Sequence, residues 1–118
     1  MQTRQTPHLP QGIISVLQTP FDEHGAVDYK SLGRLIEAAI CDGVHGFLAP
    51  AVASEVACLS REERQELIGF ISKSVSGRVA FIVGASSPRV EECSDLVQSA
   101  AEVTPDACLV AVPEKLYQ

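Results

Sequence analysis

The sequence predicts an α/β protein in which four strands alternate with three helices within a single domain. Three observations support this prediction: short apolar runs alternate with helical apolar stripes, the connections are short, and turns of small residues follow the runs. At 118 residues the chain has room for one domain. We assign residues 1–10 to a polar, proline-containing lead-in and residues 11–118 to the folded domain.

The first strand and the first helix are predicted in the segment before residue 44. Residues 13–17 form a short apolar strand, and Pro20 stops it because proline has no N–H to donate to a neighbouring strand. Asp28 occupies the position of an N-cap, and Asp42 with Gly43 ends the helix. We expect one helical face to be buried, with the residues Leu32, Leu35, Ile36, Ala39 and Ile40.

The second strand, residues 46–50, leads into a turn of small residues at 51–55 that contains one acid. Free backbone N–H groups and a helix start meet at the end of a parallel strand, so a ligand is expected at this turn. Ser60 and Glu63 then form a capping box, and residues 76–77 end the helix. The predicted inward residues are Leu67, Ile68, Ile71 and Val75.

The third strand covers residues 79–83, and a second turn of small residues follows it at 84–88. Ser87 is the predicted N-cap of the third helix, with Pro88 at the first helical position. The predicted inward stripe of this helix consists of Val90, Cys93, Val97, Ala100 and Ala101. The fourth strand, 107–112, is continuously apolar, which is expected when both faces of a sheet are covered.

Such strict alternation implies a parallel sheet with right-handed crossovers, whose strands all end at one edge. Two architectures satisfy the pattern, a small open doubly wound sheet and the first half of a (β/α)₈ barrel. The periodicity does not choose between them. Length favours the open sheet, because a whole barrel needs roughly 250 residues.

Composition excludes several classes of partner. The formal net charge is −6, and the nine lysines and arginines are scattered, so we expect neither nucleic acid nor an acidic membrane as a partner. No apolar run reaches the roughly 18 to 20 residues that span a bilayer. The first ten residues lack the apolar core of a signal peptide. A cytoplasmic location is therefore expected.

Metal, disulfide and cofactor sites are not expected either. The four cysteines form no close pair, so buried free thiols are predicted at Cys41, Cys58, Cys93 and Cys108. The three histidines, His8, His24 and His45, are far apart and have no carboxylate at metal-ligand spacing. The turn at 84–87 lacks the lysine of a phosphate-binding loop.

An ordered series of short motifs resembles the opening half of the dihydrodipicolinate synthase and N-acetylneuraminate lyase family. The matching segments are Gly12-Ile13-Ile14, Gln18-Thr19-Pro20-Phe21-Asp22, Gly25, Val27-Asp28, Leu32, Gly43-Val44-His45-Gly46-Phe47, Glu55, Leu59-Ser60, Glu62-Glu63-Arg64 and residues 79–84. Members are class I, pyruvate-dependent aldolases on a (β/α)₈ barrel. The resemblance therefore implies the first half of a barrel and a homo-oligomer that acts on a 2-oxo acid.

The resemblance also implies that the Schiff-base lysine belongs to a sixth strand, whereas this sequence ends after its fourth. We therefore assign no catalytic residue to the chain. Lys30 and Lys73 fall on outer helical faces. Lys115 lies just past a strand end, but a reactive lysine needs a desolvated pocket that lowers its pKa, and none is expected there.

The turn at 51–55 differs from the Gly-Thr-Thr-Gly-Glu motif that the resemblance implies. The resemblance assigns binding of a substrate carboxylate to the backbone amides of Val52, Ala53 and Ser54, which survive any substitution. A hydroxyl relay at Val52 is excluded. Ser54 replaces a glycine and would strain the turn if φ were positive there. Glu55 either supports the loop through hydrogen bonds or is a solvent-facing acid, and the resemblance favours loop support.

A relay tyrosine is also missing where the family has Pro-Tyr-Tyr-Asn after strand four, since this chain has Pro113 followed by Glu114, with Tyr117 further on. The first hypothesis is a lyase that, in its complete form, acts on pyruvate or another 2-oxo acid through a lysine Schiff base. The alternative is a catalytically inactive, truncated or degenerate paralogue that self-associates through its open sheet edges. A flavodoxin-like or receiver-like domain is less well supported, because neither acid clusters nor a phosphate loop are present.

Overall fold

The computed structural model of the chain describes residues 10–51 and 54–111, in which strands and helices alternate as predicted. The elements are β1 (Ile14–Val16), α1 (Tyr29–Cys41), β2 (Gly46–Ala49), α2 (Arg61–Val75), β3 (Ala80–Gly84), α3 (Val90–Ala100) and β4 (Ala107–Leu109). A 3₁₀ helix, Val56–Cys58, precedes α2, and another, Ala101–Val103, follows α3. The lead-in assigned to residues 1–10 lies almost wholly outside the described residues.

The strand order settles which α/β architecture is present. The sheet has the order β1-β2-β3-β4, and every neighbouring pair is parallel. A doubly wound sheet reverses its strand order at a switch point, whereas a barrel adds its strands in sequence order. The first half of a (β/α)₈ barrel is therefore confirmed, and the open doubly wound sheet is excluded.

The sheet has one face covered by helices and one face that is not. On the covered face, Phe47 and Ala49 of β2 and Phe81 and Val83 of β3 are buried in one cluster with the inward side chains of α1 and α2. The alternate residues point to the opposite side. We call that side the open face and define it by Val16, Leu48, Ile82 and Leu109, none of which is buried.

Helix α1 begins at the predicted cap. The Asp28 carboxylate accepts hydrogen bonds from the Ser31 hydroxyl (2.7 Å) and the Ser31 N–H (3.1 Å). These bonds, led by the one from the hydroxyl, hold the pKa of Asp28 below its ordinary value. Leu32 and Ile36 are buried as predicted, but the prediction for Leu35 is wrong, because it is exposed beside the edge strand β1.

Helix α2 agrees with the prediction at both ends and along its buried face. Ser60 and Glu63 form the capping box, with the Glu63 carboxylate accepting from the Ser60 N–H at 2.9 Å. The four predicted inward residues are buried. The helix ends at Val75, with Ser76 in the left-handed conformation (φ 48°). The local sequence rules were sufficient here because capping and periodicity indicate the same boundaries.

Helix α3 differs from the prediction at its start. Its N-cap is Arg89, so the N-cap prediction for Ser87 is wrong. The Ser87 N–H donates to the Cys93 sulfur at 3.1 Å, and the Cys93 thiol donates to the Ser87 carbonyl at 3.3 Å. These bonds hold Ser87 outside the helix, although its hydroxyl still accepts from the Arg89 N–H at 3.2 Å.

The buried stripe of α3 is narrower than predicted. Cys93 and Ala100 are buried, whereas Val90, Val97 and Ala101 are exposed. The reason is that α3 is the last helix in the described residues, so no described helix covers its outer flank. A periodic stripe shows which residues share a face, while burial needs a neighbouring element to cover that face.

Strand β4 also lacks the predicted coverage. It ends at Leu109, and Leu109 is 51% exposed, so the prediction that both faces of this strand are covered is wrong for the described residues. Residues 112–118 lie outside the described part. The thiols are free as predicted, but only Cys93 is buried; burial was wrongly predicted for Cys41, Cys58 and Cys108, which lie at element ends or in the edge strand. No helix in the described residues is both long and apolar enough to cross a membrane.

Candidate functional site

The candidate site is the turn after β2, at the edge where the four parallel strands end. Ala51, Ser54 and Glu55 of this turn belong to the described residues. Val52 and Ala53, two of the three residues predicted to bind a carboxylate through their amides, lie outside the described residues. The geometry of the site is therefore defined by its two ends.

Ser54 fixes the turn to the first strand. Its side chain is wholly buried, and its hydroxyl donates a hydrogen bond to the carbonyl of Leu17, just past β1. Its N–H donates to the Ala51 carbonyl at 3.0 Å. Both donors of Ser54 are thus used inside the protein. A substrate carboxylate would compete with Ala51 for the Ser54 amide.

The backbone strain of the turn lies at Glu55. This residue adopts the left-handed conformation (φ 57°, ψ 41°). Whether Ser54, at the glycine-replacing position, is strained stays a prediction. A non-glycine residue in this region costs on the order of 1 kcal/mol, so the surrounding contacts must hold Glu55 in place.

The contribution of Glu55 to the loop comes from its backbone. Its carbonyl accepts from the Cys58 N–H at 2.8 Å and opens the 3₁₀ helix, while the Val56 N–H donates to the Ala51 carbonyl at 3.3 Å. The Glu55 side chain is exposed and caps nothing. Support of the loop by the Glu55 carboxylate stays a prediction.

The end of β3 packs directly against the end of β2 beside this turn. A Cβ added at Gly84 would overlap the carbonyl of Pro50, so only glycine fits there without movement. On the other side, the Ala85 N–H donates to the Leu109 carbonyl at 2.9 Å, and the Ala111 N–H donates to the Ser86 hydroxyl at 2.8 Å. Hydrogen bonds and close contacts therefore connect the strand ends of β2, β3 and β4.

The two described lysines lie on helices, outside the turns that follow the strands. Lys30 is exposed on α1 and Lys73 is exposed on α2, as predicted, whereas Lys115 lies outside the described residues. Within residues 10–51 and 54–111, no three side chains of the metal-binding types converge. Three residues of the turn are described. Ala51 has no reactive side chain and the Ser54 hydroxyl is bonded to Leu17, so the exposed Glu55 carboxylate is the one base among them.

A second concave region lies outside the sheet, between the starts of α2 and α3. This cleft has a volume of about 690 Å³ and is lined by residues that include Arg61, Arg64 and Glu92. The Arg89 guanidinium lies 2.8 Å from the Glu92 carboxylate, and their hydrogen bond lowers the pKa of Glu92 and raises that of Arg89. Part of the charge in this cleft is thus neutralised by the ion pair between Arg89 and Glu92.

The sequence reasoning located the turn but missed the residue that anchors it. Ser54 was selected for its amide, whereas its side chain makes the defining contact with Leu17. One feature of the sequence could have indicated this anchoring role: Ser54 carries the one hydroxyl of the turn, at the position where the family motif has glycine. The acceptor lies 37 residues earlier in the chain, and local patterns do not report such a pair.

Comparison with known proteins identifies what this arrangement is similar to. The model of the dihydrodipicolinate synthetase family matches residues 9–115. The 4-hydroxy-tetrahydrodipicolinate synthase of Pseudomonas putida is 38% identical over 102 residues, which cover 86% of this chain and 35% of that protein. The same enzyme of Aquifex aeolicus is 39% identical over 103 residues, covering 87% of this chain and 35% of the relative.

Solved structures agree with the sequence matches. The crystal structure of dihydrodipicolinate synthase from Aquifex aeolicus superposes with a TM-score of 0.83 at 39% identity, covering 87% of this chain and 35% of that one. The chloride-inhibited enzyme of Acinetobacter baumannii, complexed with pyruvate, superposes with a TM-score of 0.86 at 31% identity, covering 89% and 36%. The chain spans about a third of the length of these relatives, and it belongs to the dihydrodipicolinate synthetase family.

Proposed function

We propose that this chain supplies the N-terminal part of a carbon–carbon lyase of the aldolase type that acts on pyruvate or another 2-oxo acid. Family membership supports this proposal, as does the pyruvate complex of the Acinetobacter baumannii relative. The observation that carries it is the position of the turn after β2, which Ser54 fixes at the edge where barrel enzymes place their active sites.

In this proposal the turn recognises the carboxylate of the 2-oxo acid through the amides of Val52, Ala53 and Ser54. Because the Ser54 N–H already donates to Ala51, we expect the amides of Val52 and Ala53 to contribute more of the binding. The Ser54 hydroxyl is the only hydroxyl in the sequence of this turn. Its bond to the buried Leu17 carbonyl makes it a brace for the turn, and a proton relay would have to break that bond.

The imine chemistry of the proposed complete enzyme requires a lysine, and neither of the two described lysines lies in the turn after β2. Lys30 and Lys73 are exposed on helices, outside any enclosed pocket that could hold an imine. We therefore propose that the 118-residue chain alone forms no Schiff base. A cytoplasmic location and a homo-oligomeric state are part of the same proposal.

Two measurements test these statements separately. Titration of ¹⁵N-labelled protein with pyruvate should shift the amide signals of residues 51–55, and methyl pyruvate, which lacks the carboxylate, should leave them unchanged. Equal shifts with both compounds would contradict carboxylate recognition. Borohydride reduction with pyruvate, read by mass spectrometry, should give no adduct. A stable adduct that disappears in Lys115→Arg would show that the chain forms an imine on its own.

A second candidate function is a non-catalytic protein that self-associates through its open sheet edges. The observation that favours it is the open face: Val16 and Leu109 are exposed there, on the two edge strands of the sheet. Such edges promote association unless something covers them. In a non-catalytic protein of this kind, the family's fold is kept, while the turn at 51–55 no longer takes part in catalysis.

A further inference from the structure

The Leu17 carbonyl, just past β1, is the last acceptor that this part of the chain turns towards β2. Before it, the Ile13 carbonyl accepts from the Gly46 N–H at 3.3 Å, and the Leu17 N–H donates to the Leu48 carbonyl at 3.0 Å. The N–H and the C=O of one strand residue point to the same side, so the Leu17 carbonyl also faces β2. In the described part of the chain, no main-chain N–H donates to it.

The reason is the proline at position 50. Val16 pairs with Leu48 in the parallel register, and this register, continued by one residue, sets Leu17 opposite Ala49. In a parallel pair, a residue that donates to the residue before its partner accepts from the residue after it. The Leu17 carbonyl would therefore accept from residue 50, and Pro50 has no N–H. The hydrogen bonds between β1 and β2 cannot continue at this point.

Ser54 supplies the donor that the main chain lacks. Its hydroxyl donates to the Leu17 carbonyl, and both residues are buried. A buried carbonyl without a donor is costly, because it has given up its hydrogen bonds to water. The contact is made on the side of the chain that faces β2, so it does not depend on what lies beyond the outer edge of β1.

The other end of the turn is held from β3. The Pro50 carbonyl packs against Gly84, where an added Cβ would overlap it. The next carbonyl, that of Ala51, accepts from the Ser54 N–H at 3.0 Å and the Val56 N–H at 3.3 Å. The start of the turn is thus fixed by packing, and its end is fixed to the first strand by one side-chain hydrogen bond. Loss of the Ser54 hydroxyl releases that end.

We propose that Ser54 is a positioning residue for the carboxylate site: its hydroxyl, bonded to the Leu17 carbonyl, holds the turn at 51–55 in the form that binds a 2-oxo acid. This inference rests on the proposed function and assigns part of its affinity to a side chain that does not touch the ligand. Ser54 acts through the main chain of the turn. Affinity for the ligand therefore depends on the hydroxyl more than global stability alone accounts for.

The first test observes the Leu17 carbonyl directly. Leu17-Gln18 is the only Leu-Gln pair in the sequence, so ¹³C in leucine carbonyls and ¹⁵N in glutamine give a single carbonyl–nitrogen correlation. A carbonyl carbon resonates further downfield when its oxygen accepts a hydrogen bond. Ser54→Ala should therefore move this signal upfield, whereas Ile71→Val, which shortens a buried side chain of α2, should leave it in place. An unmoved signal in Ser54→Ala overturns the contact.

The second test measures whether the contact serves ligand binding. Pyruvate titration, followed by the amide signals of residues 51–55 while circular dichroism shows each variant to be folded, gives the dissociation constant. Ser54→Ala should raise this constant about tenfold, a loss equivalent to one hydrogen bond. Ile71→Val should leave it unchanged, because this substitution lowers stability within the helix-covered core and leaves the turn intact.

The outcomes separate the inference from the proposed function. If the unaltered chain does not bind pyruvate, the proposed function fails, and the positioning role fails with it. If the unaltered chain and Ser54→Ala bind pyruvate equally well, the proposed function stands and the positioning role alone is overturned. Equal losses of affinity in Ser54→Ala and Ile71→Val would also overturn the positioning role, because affinity would then follow global stability.

Discussion

The two faces of the sheet have similar strand residues but different surroundings. On the covered face, Phe47 and Val83 have no exposed surface and pack against helices. On the open face, their direct neighbours in sequence, Leu48 and Ile82, are only partly buried. Apolar character is thus the same on both sides, while the stabilisation that it yields depends on which side the helices occupy.

The largest expected effect is the loss of the buried aromatic ring on the covered face. Phe47→Ala should lower the free energy of unfolding by about 3–5 kcal/mol, because it removes a buried ring and leaves a cavity. Leu48→Ala, one residue further on, should cost only about 1 kcal/mol at low protein concentration, since its side chain is partly exposed. Urea unfolding measures both, and equal losses would contradict the difference between the faces.

The next effect concerns the closest approach of two strand ends. Gly84→Ala places a methyl group against the Pro50 carbonyl, which belongs to backbone and has little freedom to move. We expect a loss of about 1–3 kcal/mol, as for other overpacked sites. Gly69→Ala is the matched control, because nothing lies within 4 Å of a Cβ added there. A neutral Gly84→Ala would show that the strand ends can separate without cost.

A smaller effect is expected from the helical layer that creates the covered face. Ser60→Ala removes the hydroxyl that accepts from the Glu63 N–H at 3.1 Å and should cost about 1 kcal/mol. Ser94→Ala, at an exposed position within α3, is the control and should be close to neutral. Thermal unfolding followed by circular dichroism distinguishes the two, and equal shifts of Tm would rule out a specific capping contribution.

The smallest effect is a pH dependence at the cap of α1. The Ser31 hydroxyl and N–H lower the pKa of Asp28 in the folded protein, so its contribution to stability is present above the ordinary aspartate pKa. It is lost as the pH falls through the lowered folded pKa. Asp28→Asn keeps a capping oxygen but does not titrate. The urea midpoint of the variant should therefore fall less on acidification, and parallel curves would exclude Asp28 as a source of the dependence.

Local sequence rules predicted those features of the fold that depend on neighbouring residues. The Asp28 cap, the Ser60–Glu63 capping box and the buried stripe of α2 are of this kind. The same rules did not predict that Val90 and Val97 are exposed. Periodicity shows only which residues share a helical face, whereas burial requires another element that covers this face. The choice between barrel and open sheet needed the family resemblance and is settled by strand order.

For the candidate site, the sequence predicted its position better than its contacts. The turn after β2 was identified from its place between a strand and a helix start. The bond from Ser54 to Leu17 and the left-handed conformation of Glu55 were not predicted, since each depends on how distant segments meet. Ser87 shows the same limit on a local scale, because the Cys93 sulfur engages its backbone and displaces the expected cap.

The sequential strand order has a consequence for how the chain folds. Each strand pairs only with the strands that come immediately before and after it in the sequence, so every pairing closes a loop of one β-α unit. A ribosome that releases the chain from its N-terminus delivers these units in the order in which they assemble. Pulse-labelled nascent chains should therefore gain protease resistance in steps, one β-α unit at a time.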